Sequence, residues 1–272
     1  MRLYVSGLRK LMTRMASFLT LGILAGLLVM IELAVATTRG GGGGGGSGGP
    51  GSRAALSLLT FPGAYDQILG FILGFGGLLG VTYGAAIAGS EWGWGTLKTA
   101  VARGESRSRY LLSTFAAIAT MLVVGLILAF LIGVAGAAIG ATIAGISLSG
   151  MSDTAILDKL PEHFLRGWIA ITMTAAVGFA VATVAKSQLA GIGVGIALYF
   201  GEAFATIFLP DIVKYLPFNL SNAAVGGGGG FGGPDSVSTA LSADTALGLV
   251  VVWLVAMLVS TAVIAERAEI TG

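Results

Sequence analysis

The side chains that could do chemistry gather in one stretch, Gly89-Ser-Glu-Trp-Gly-Trp-Gly-Thr-Leu-Lys-Thr-Ala-Val-Ala-Arg-Gly-Glu-Ser-Arg-Ser-Arg-Tyr110. Trp92 and Trp94 suit the depth of a membrane–water interface. Thr96 to Ala102 is expected as a short helix in the membrane plane, with Gly95 before it and Gly104 closing it. Arg103, Arg107 and Arg109 then face water or a partner. Such a segment binds and anchors; it does not make bonds. Bond-making groups are scarce elsewhere too. The chain has no cysteine, so thiolate nucleophiles, thiolate metal sites and disulfides are excluded. His163 is the single histidine, too few for a multi-histidine metal site. Gly145-Ile-Ser-Leu-Ser149 does not complete a Gly-x-Ser-x-Gly elbow, and no His-Glu-x-x-His occurs. No Gly-x-x-x-x-Gly-Lys-Ser/Thr occurs either, so ATP hydrolysis by the phosphate-loop route is excluded. No cofactor is expected on this chain.

Composition says why chemistry is so sparse. Of 272 residues, 55% are hydrophobic and 10% charged, with a mean hydropathy of +0.92. A soluble domain carries about 25% charged residues. That deficit argues against a soluble enzyme, a nucleic-acid binder and a disordered tail, and the formal net charge of +2 gives no nucleic-acid signal. Glycine is in excess, 45 residues, partly in two runs at 40–51 and 226–233. Neither run has phosphate-loop context, and both read as flexible linkers.

The elements that must position the 89–110 stretch follow from periodicity. In residues 1–15, Tyr4, Leu8, Leu11 and Met15 fall at helical spacing, and Arg2, Arg9, Lys10 and Arg14 lie mostly off that stripe. This is an amphipathic helix lying on an anionic membrane face. The alternative is the basic start of a signal peptide, with Ala34-Val35-Ala36 as a cleavage pattern. The apolar run 16–36 is long for a signal core and right for a span, so a retained first helix is expected. Five more spans are expected near 68–89, 111–134, 168–185, 189–209 and 246–265. The third apolar run continues to Leu148, as a tilted extension or a re-entrant piece. Lys186, Ser187 and Gln188 imply a tight turn. Ile212 to Leu216 is expected as a short interfacial helix, with Pro217-Phe218-Asn219 turning the chain.

Six spans put both termini on one side. Ten basic residues (Arg2, Arg9, Lys10, Arg14, Lys98, Arg103, Arg107, Arg109, Lys186 and Arg267) then share a side, against five on the other (Arg39, Arg53, Lys159, Arg166 and Lys214). The positive-inside rule makes both termini cytoplasmic, in a multi-pass protein of the cell membrane. The glycine runs fall outside. Within or beside the spans, ionisable residues are few. Glu32 is expected to snorkel to the outer interface or line a translocation path. Glu202 is expected to face a pore, a subunit contact or the Thr206 hydroxyl. Asp66 is expected at an interface, and His163 in an outside loop before the fourth span. Small-residue pairs recur at Gly22/Gly26, Gly70/Gly74, Gly80/Gly84, Gly136/Gly140 and Gly191/Gly195, a pattern that permits close helix approach.

With Glu91, Gly95-Thr96-Leu97-Lys98, Arg103-Gly104-Glu105-Ser106-Arg107 and Tyr110-Leu111-Leu112-Ser113-Thr114, the first cytoplasmic loop resembles that of membrane subunits of type-2 ABC exporters. Gly104 stands where proline is common in that family, and Thr114 where lysine is common. The basic N-terminal helix, the six spans and the long outside segment before the sixth resemble the family too. The resemblance implies the type-2 exporter transmembrane fold, all-α, with residues 90–110 as a coupling loop docked on a separate ATPase. It implies Glu91, Gly95, Thr96, Lys98, Arg103 and Arg107 as transmission residues. It also implies a pair of permease chains, expected as a homodimer, with two ATPase subunits that carry ATP and Mg. The cargo expected is amphipathic, lipid-like or drug-like. A secondary transporter or channel would need midplane coupling carboxylates and usually inverted repeats, and no convincing repeat is found. A non-transporting membrane scaffold is the third reading.

Overall fold

The computed structural model describes residues 2–40, 56–226 and 241–268, and among these every regular element is a helix. In chain order they are α1 (Arg2–Thr13), α2 (Met15–Gly40), α3 (Gly63–Gly93), α4 (Thr96–Ala102), α5 (Arg107–Ile143), α6 (Thr154–Leu157), α7 (Leu160–Ala185), α8 (Gln188–Phe208), α9 (Pro210–Val213), α10 (Pro217–Ala224) and α11 (Ala243–Arg267). Six of them, α2, α3, α5, α7, α8 and α11, are long and apolar enough to cross a membrane. This is the architecture of a polytopic, all-helical membrane protein. Apart from Gly40 and Gly226, the two glycine runs lie outside the described residues.

Five of the helices begin where a side chain caps a free backbone donor or a proline removes one. Ser187 Oγ accepts from the Ala190 amide at the start of α8, and Ser242 Oγ accepts from the Thr245 amide at the start of α11. Proline occupies the first turn of α7, α9 and α10, where its missing N–H is no loss. Pro161 thereby brings Glu162 and His163 into α7, which starts at Leu160 rather than after an outside loop. Glu162 adds a favourable charge there and pairs with Arg166 at 2.8 Å, one turn on. Pro217 likewise opens a helix instead of turning the chain, and the helix expected at Ile212–Leu216 is displaced to α9. The expected turn at 186–188 is present, with Lys186 in the left-handed region at φ 50°.

The longest span far outruns a bilayer. Helix α5 has 37 residues, or ~55 Å at 1.5 Å per residue, against a hydrocarbon core of about 30 Å. Its apolar extension past Val134 is therefore one continuous helix to Ile143, not a re-entrant piece. Gly133, Gly136 and Gly140 do not break it because they form the surface on which α2 packs.

The α3–α7 pair forms the centre. A Cβ on Gly84 would sit 2.1 Å from the Ala175 carbonyl oxygen, and one on Gly178 would sit 1.9 Å from that of Val81. The two backbones touch through reciprocal glycine notches, as expected where apolar side chains gain little by leaving lipid. Gly22 and Gly26 have the same spacing as Gly80 and Gly84, yet nothing lies within 4 Å of a Cβ at either.

The connections sort into two ends. At one end lie α1, the close of α3, α4, the start of α5, the α7–α8 turn and the close of α11. Lys186 Nζ stands 5.5 Å over the Trp92 ring there, and Arg107 donates to the Ala268 carbonyl. At the other end, Tyr65 donates to the Met151 carbonyl at 2.7 Å and Arg166 pairs with Asp244 at 2.5 Å.

Candidate functional site

Helix α4 has seven residues and buries one, Leu97, into a cluster with Leu11, Ile87 and Leu111. Glycine flanks it where the backbone enters the left-handed region: Gly95 at φ 66° and Gly104 at φ 89°. These two positions let a short helix stand between two long ones with sharp changes of direction. Its outer face carries Lys98, Thr99, Ala102 and Arg103, all exposed. Trp94, 68% exposed, continues that face toward α3. Arg107 is turned away from it. Its guanidinium donates to the carbonyls of Ala268 and Glu266, while the Glu266 carboxylate accepts from the Ser108 amide at 3.0 Å and hydroxyl at 2.6 Å. Arg107 thus joins the start of α5 to the close of α11.

The root of α4 is Glu91. Its carboxylate is fully buried at 0% exposure, near the end of an apolar helix. Lys10 Nζ donates to both its oxygens, at 2.7 and 2.8 Å. Arg14 Nη2 donates at 3.3 Å, Thr96 Oγ1 at 2.5 Å and the Tyr110 hydroxyl at 2.7 Å. One carboxylate therefore ties α1, α3, α4 and α5 together. The arrangement meets the condition for burying a charge, which is paired cations with every lone pair used. Arg14 also donates to Ser90 Oγ at 2.7 Å and lies 4.8 Å over the Trp94 ring.

Sequence reasoning placed Glu91, Gly95 and Thr96 in this segment and missed Lys10, Arg14, Ser90 and Tyr110. Lys10 and Arg14 were assigned to an anionic membrane face. Their four-residue spacing puts them on one side of the chain, and they turn inward to Glu91. A buried carboxylate closing an apolar helix needs cations, and that requirement was the available signal. Lys98 and Arg103 sit on the exposed face of α4.

A family model matches residues 58–270, from just before α3 to the close of the chain. The chain belongs to the DUF2705 family. That family is described as protein of unknown function. Curated proteins give no match to this DUF2705 chain. The matched region holds Glu91, Thr96 and Tyr110, while Lys10 and Arg14 precede it.

Within the spans, the DUF2705 chain buries two further carboxyls. Glu202, 8% exposed, accepts from the Phe218 amide at 3.0 Å and the Asn219 amide at 3.1 Å. It is the cap of α10, supplied from α8. The Thr206 hydroxyl instead donates to the Glu202 backbone carbonyl at 2.9 Å. Glu32 does not snorkel. It is 0% exposed, and among the described residues neither carboxyl oxygen has a hydrogen-bond partner. Asp66 is exposed and stands 4.0 Å from His163 Nδ1. Among the described residues, no three acidic or histidine side chains are grouped to hold a metal.

Proposed function

We propose that this chain is the permease subunit of an ATP-driven exporter of the type-2 ABC class, with α4 as the surface that meets a separate ATPase. The observation that carries the reading is the mounting of α4. An exposed seven-residue helix stands at one end of the bundle, and a single buried carboxylate fixes its root to α1, α3 and α5. A load on α4 would reach three long elements at once. Through α3 it would reach α7 across the reciprocal glycine notches. Compliant loops dissipate such a load; a buried carboxylate held by five contacts from four donors does not.

In this reading the end that holds α4 is cytoplasmic, because ten of fifteen basic residues belong to it. Two such chains pair, and two ATPase subunits bind ATP and Mg beneath them. Closure of the ATPase pair pushes both α4 helices and opens the paired spans outward. Sparse charge inside the spans suits an amphipathic, lipid-like or drug-like cargo. Lys98, Arg103 and Trp94 make the partner contact. Glu91, Thr96 and the two flanking glycines transmit.

The test is reconstitution of the chain with the phosphate-loop ATPase that co-purifies with it. The reading predicts that Arg103→Glu lowers transport-coupled ATP hydrolysis while the chain keeps its thermal stability. Transport driven by an ion gradient with no ATPase present would overturn the reading in favour of a secondary transporter or channel.

A further inference from the structure

Glu32 is a second buried carboxylate, and its surroundings are the opposite of those of Glu91. It lies on α2, eight positions before the helix ends at Gly40, or ~12 Å at 1.5 Å per residue. Its side chain points into α5 at Gly136, where an added Cβ would fall 2.2 Å from Oε2. Gly136 is therefore the notch that houses the carboxyl. Val29 and Ala36 on α2 and Gly140 on α5 complete an apolar, close-packed interface around it. Among the described residues, no donor reaches either oxygen.

Among the described side chains, the charged groups nearest α2 on the elements packed against it are engaged or remote. On α5, Arg107 and Arg109 lie in the first turn, at the opposite end of the helix. On α3, Asp66 is near His163 and Glu91 is in the Lys10 cluster. On α1, Lys10 is on Glu91. A carboxylate ion with no partner is the costliest state such a site could hold, whereas a carboxylic acid is far easier to bury.

We propose that Glu32 is a proton-binding site inside the α2–α5 interface, holding a proton while Gly136 covers it and releasing it when the two helices part. Separation of α2 from α5 is then linked to the loss of one proton, toward the end of the bundle that carries Asp66 and His163. Alkaline conditions favour the parted state, and acid favours the packed one. This site is independent of the exporter reading, since it needs neither an ATPase nor a cargo.

A hydrophobic carbodiimide tests it on the full chain in lipid vesicles. The reagent adds a protonated carboxyl across a C=N bond: the oxygen bonds to the central carbon and the proton passes to nitrogen. It reaches Glu32 in openings that still hold the proton, so the yield follows the population of the packed, protonated state. Peptide mass spectrometry should find the adduct on Glu32 at about pH 6 and its loss at about pH 9. In parallel, the thermal midpoint of the wild type should fall between those pH values, and that of Glu32→Gln should not. The sign follows from linkage: the packed state binds the extra proton, so its advantage is lost as pH rises. No adduct at either pH, equal adduct at both, or midpoints of wild type and variant that shift in parallel would each overturn the proposal. The labelling needs only the wild type, so it decides even if the variant does not fold.

Discussion

Lys10 and Glu91, 81 positions apart in sequence, meet at 2.7 Å in an otherwise apolar bundle. The contact turns an amphipathic helix into part of the framework that holds α4. Lys10 is 31% exposed and the Glu91 side chain 1%, so the two halves of the pair are unequal. Removing the carboxylate strands two cations, whereas removing Lys10 leaves Arg14, Thr96 and Tyr110 in place. Glu91→Ala should cost about 3 kcal/mol of stability. Lys10→Met should cost only ~1 kcal/mol, because water screens its ammonium. Thermal unfolding of the purified chain in detergent measures both, and equal losses would contradict the assignment of Glu91 as the hub.

The glycines that flank α4 make a backbone prediction free of packing effects. Nothing lies within 4 Å of a Cβ at Gly95 or Gly104, so substitution there is strained only by its positive φ. Gly95→Val should cost about 1–2 kcal/mol, and Gly95→Asn should cost clearly less, since asparagine tolerates that region. Circular dichroism melts of the two variants give the comparison.

Glycine spacing alone cannot separate the notches from the bystanders, but the packing does. Gly84→Ala and Gly178→Ala drive a methyl into a carbonyl oxygen and should cost ~3 kcal/mol or more, enough to reduce the yield of folded chain. Gly22→Ala and Gly26→Ala meet open space and should be neutral or stabilising by a few tenths of a kcal/mol, as alanine is the better helix former. Parallel expression and melting of the four variants test this.

Glu202 caps α10 with two amide hydrogen bonds, so Glu202→Ala should loosen that helix locally. The expected loss is about 1–2 kcal/mol. Hydrogen exchange should quicken at Phe218 and Asn219 while the α3–α7 core keeps its protection. Faster exchange spread evenly over all helices would show instead that Glu202 supports the whole bundle.

The spans, the break at 186–188 and the residues of α4 were legible because each rests on local signals: an apolar run, a polar gap, a glycine at each end of a short helix. The partners of Glu91 were not, because nothing local distinguishes a lysine on lipid from one paired with a residue 81 positions further on. Glu32 was misjudged for a related reason. Its depth in the sequence suggested an escape to the interface, but Gly136 on another helix offers a closer cavity. Pro217 could mark a turn or a helix start, and a carboxylate from α8 decided it. In each case a local rule gave two answers, and a distant residue selected one.

The proposed contact between α4 and an ATPase is open to a direct test. The chain has no cysteine, so a single one can be placed at Lys98 and fitted with a short photo-crosslinker in cells. Mass spectrometry of the product should identify a phosphate-loop ATPase cross-linked at Lys98, and the yield should fall when Glu91→Ala is added. Cross-links confined to lipid or to a second copy of the chain, with no ATPase captured, would contradict the account.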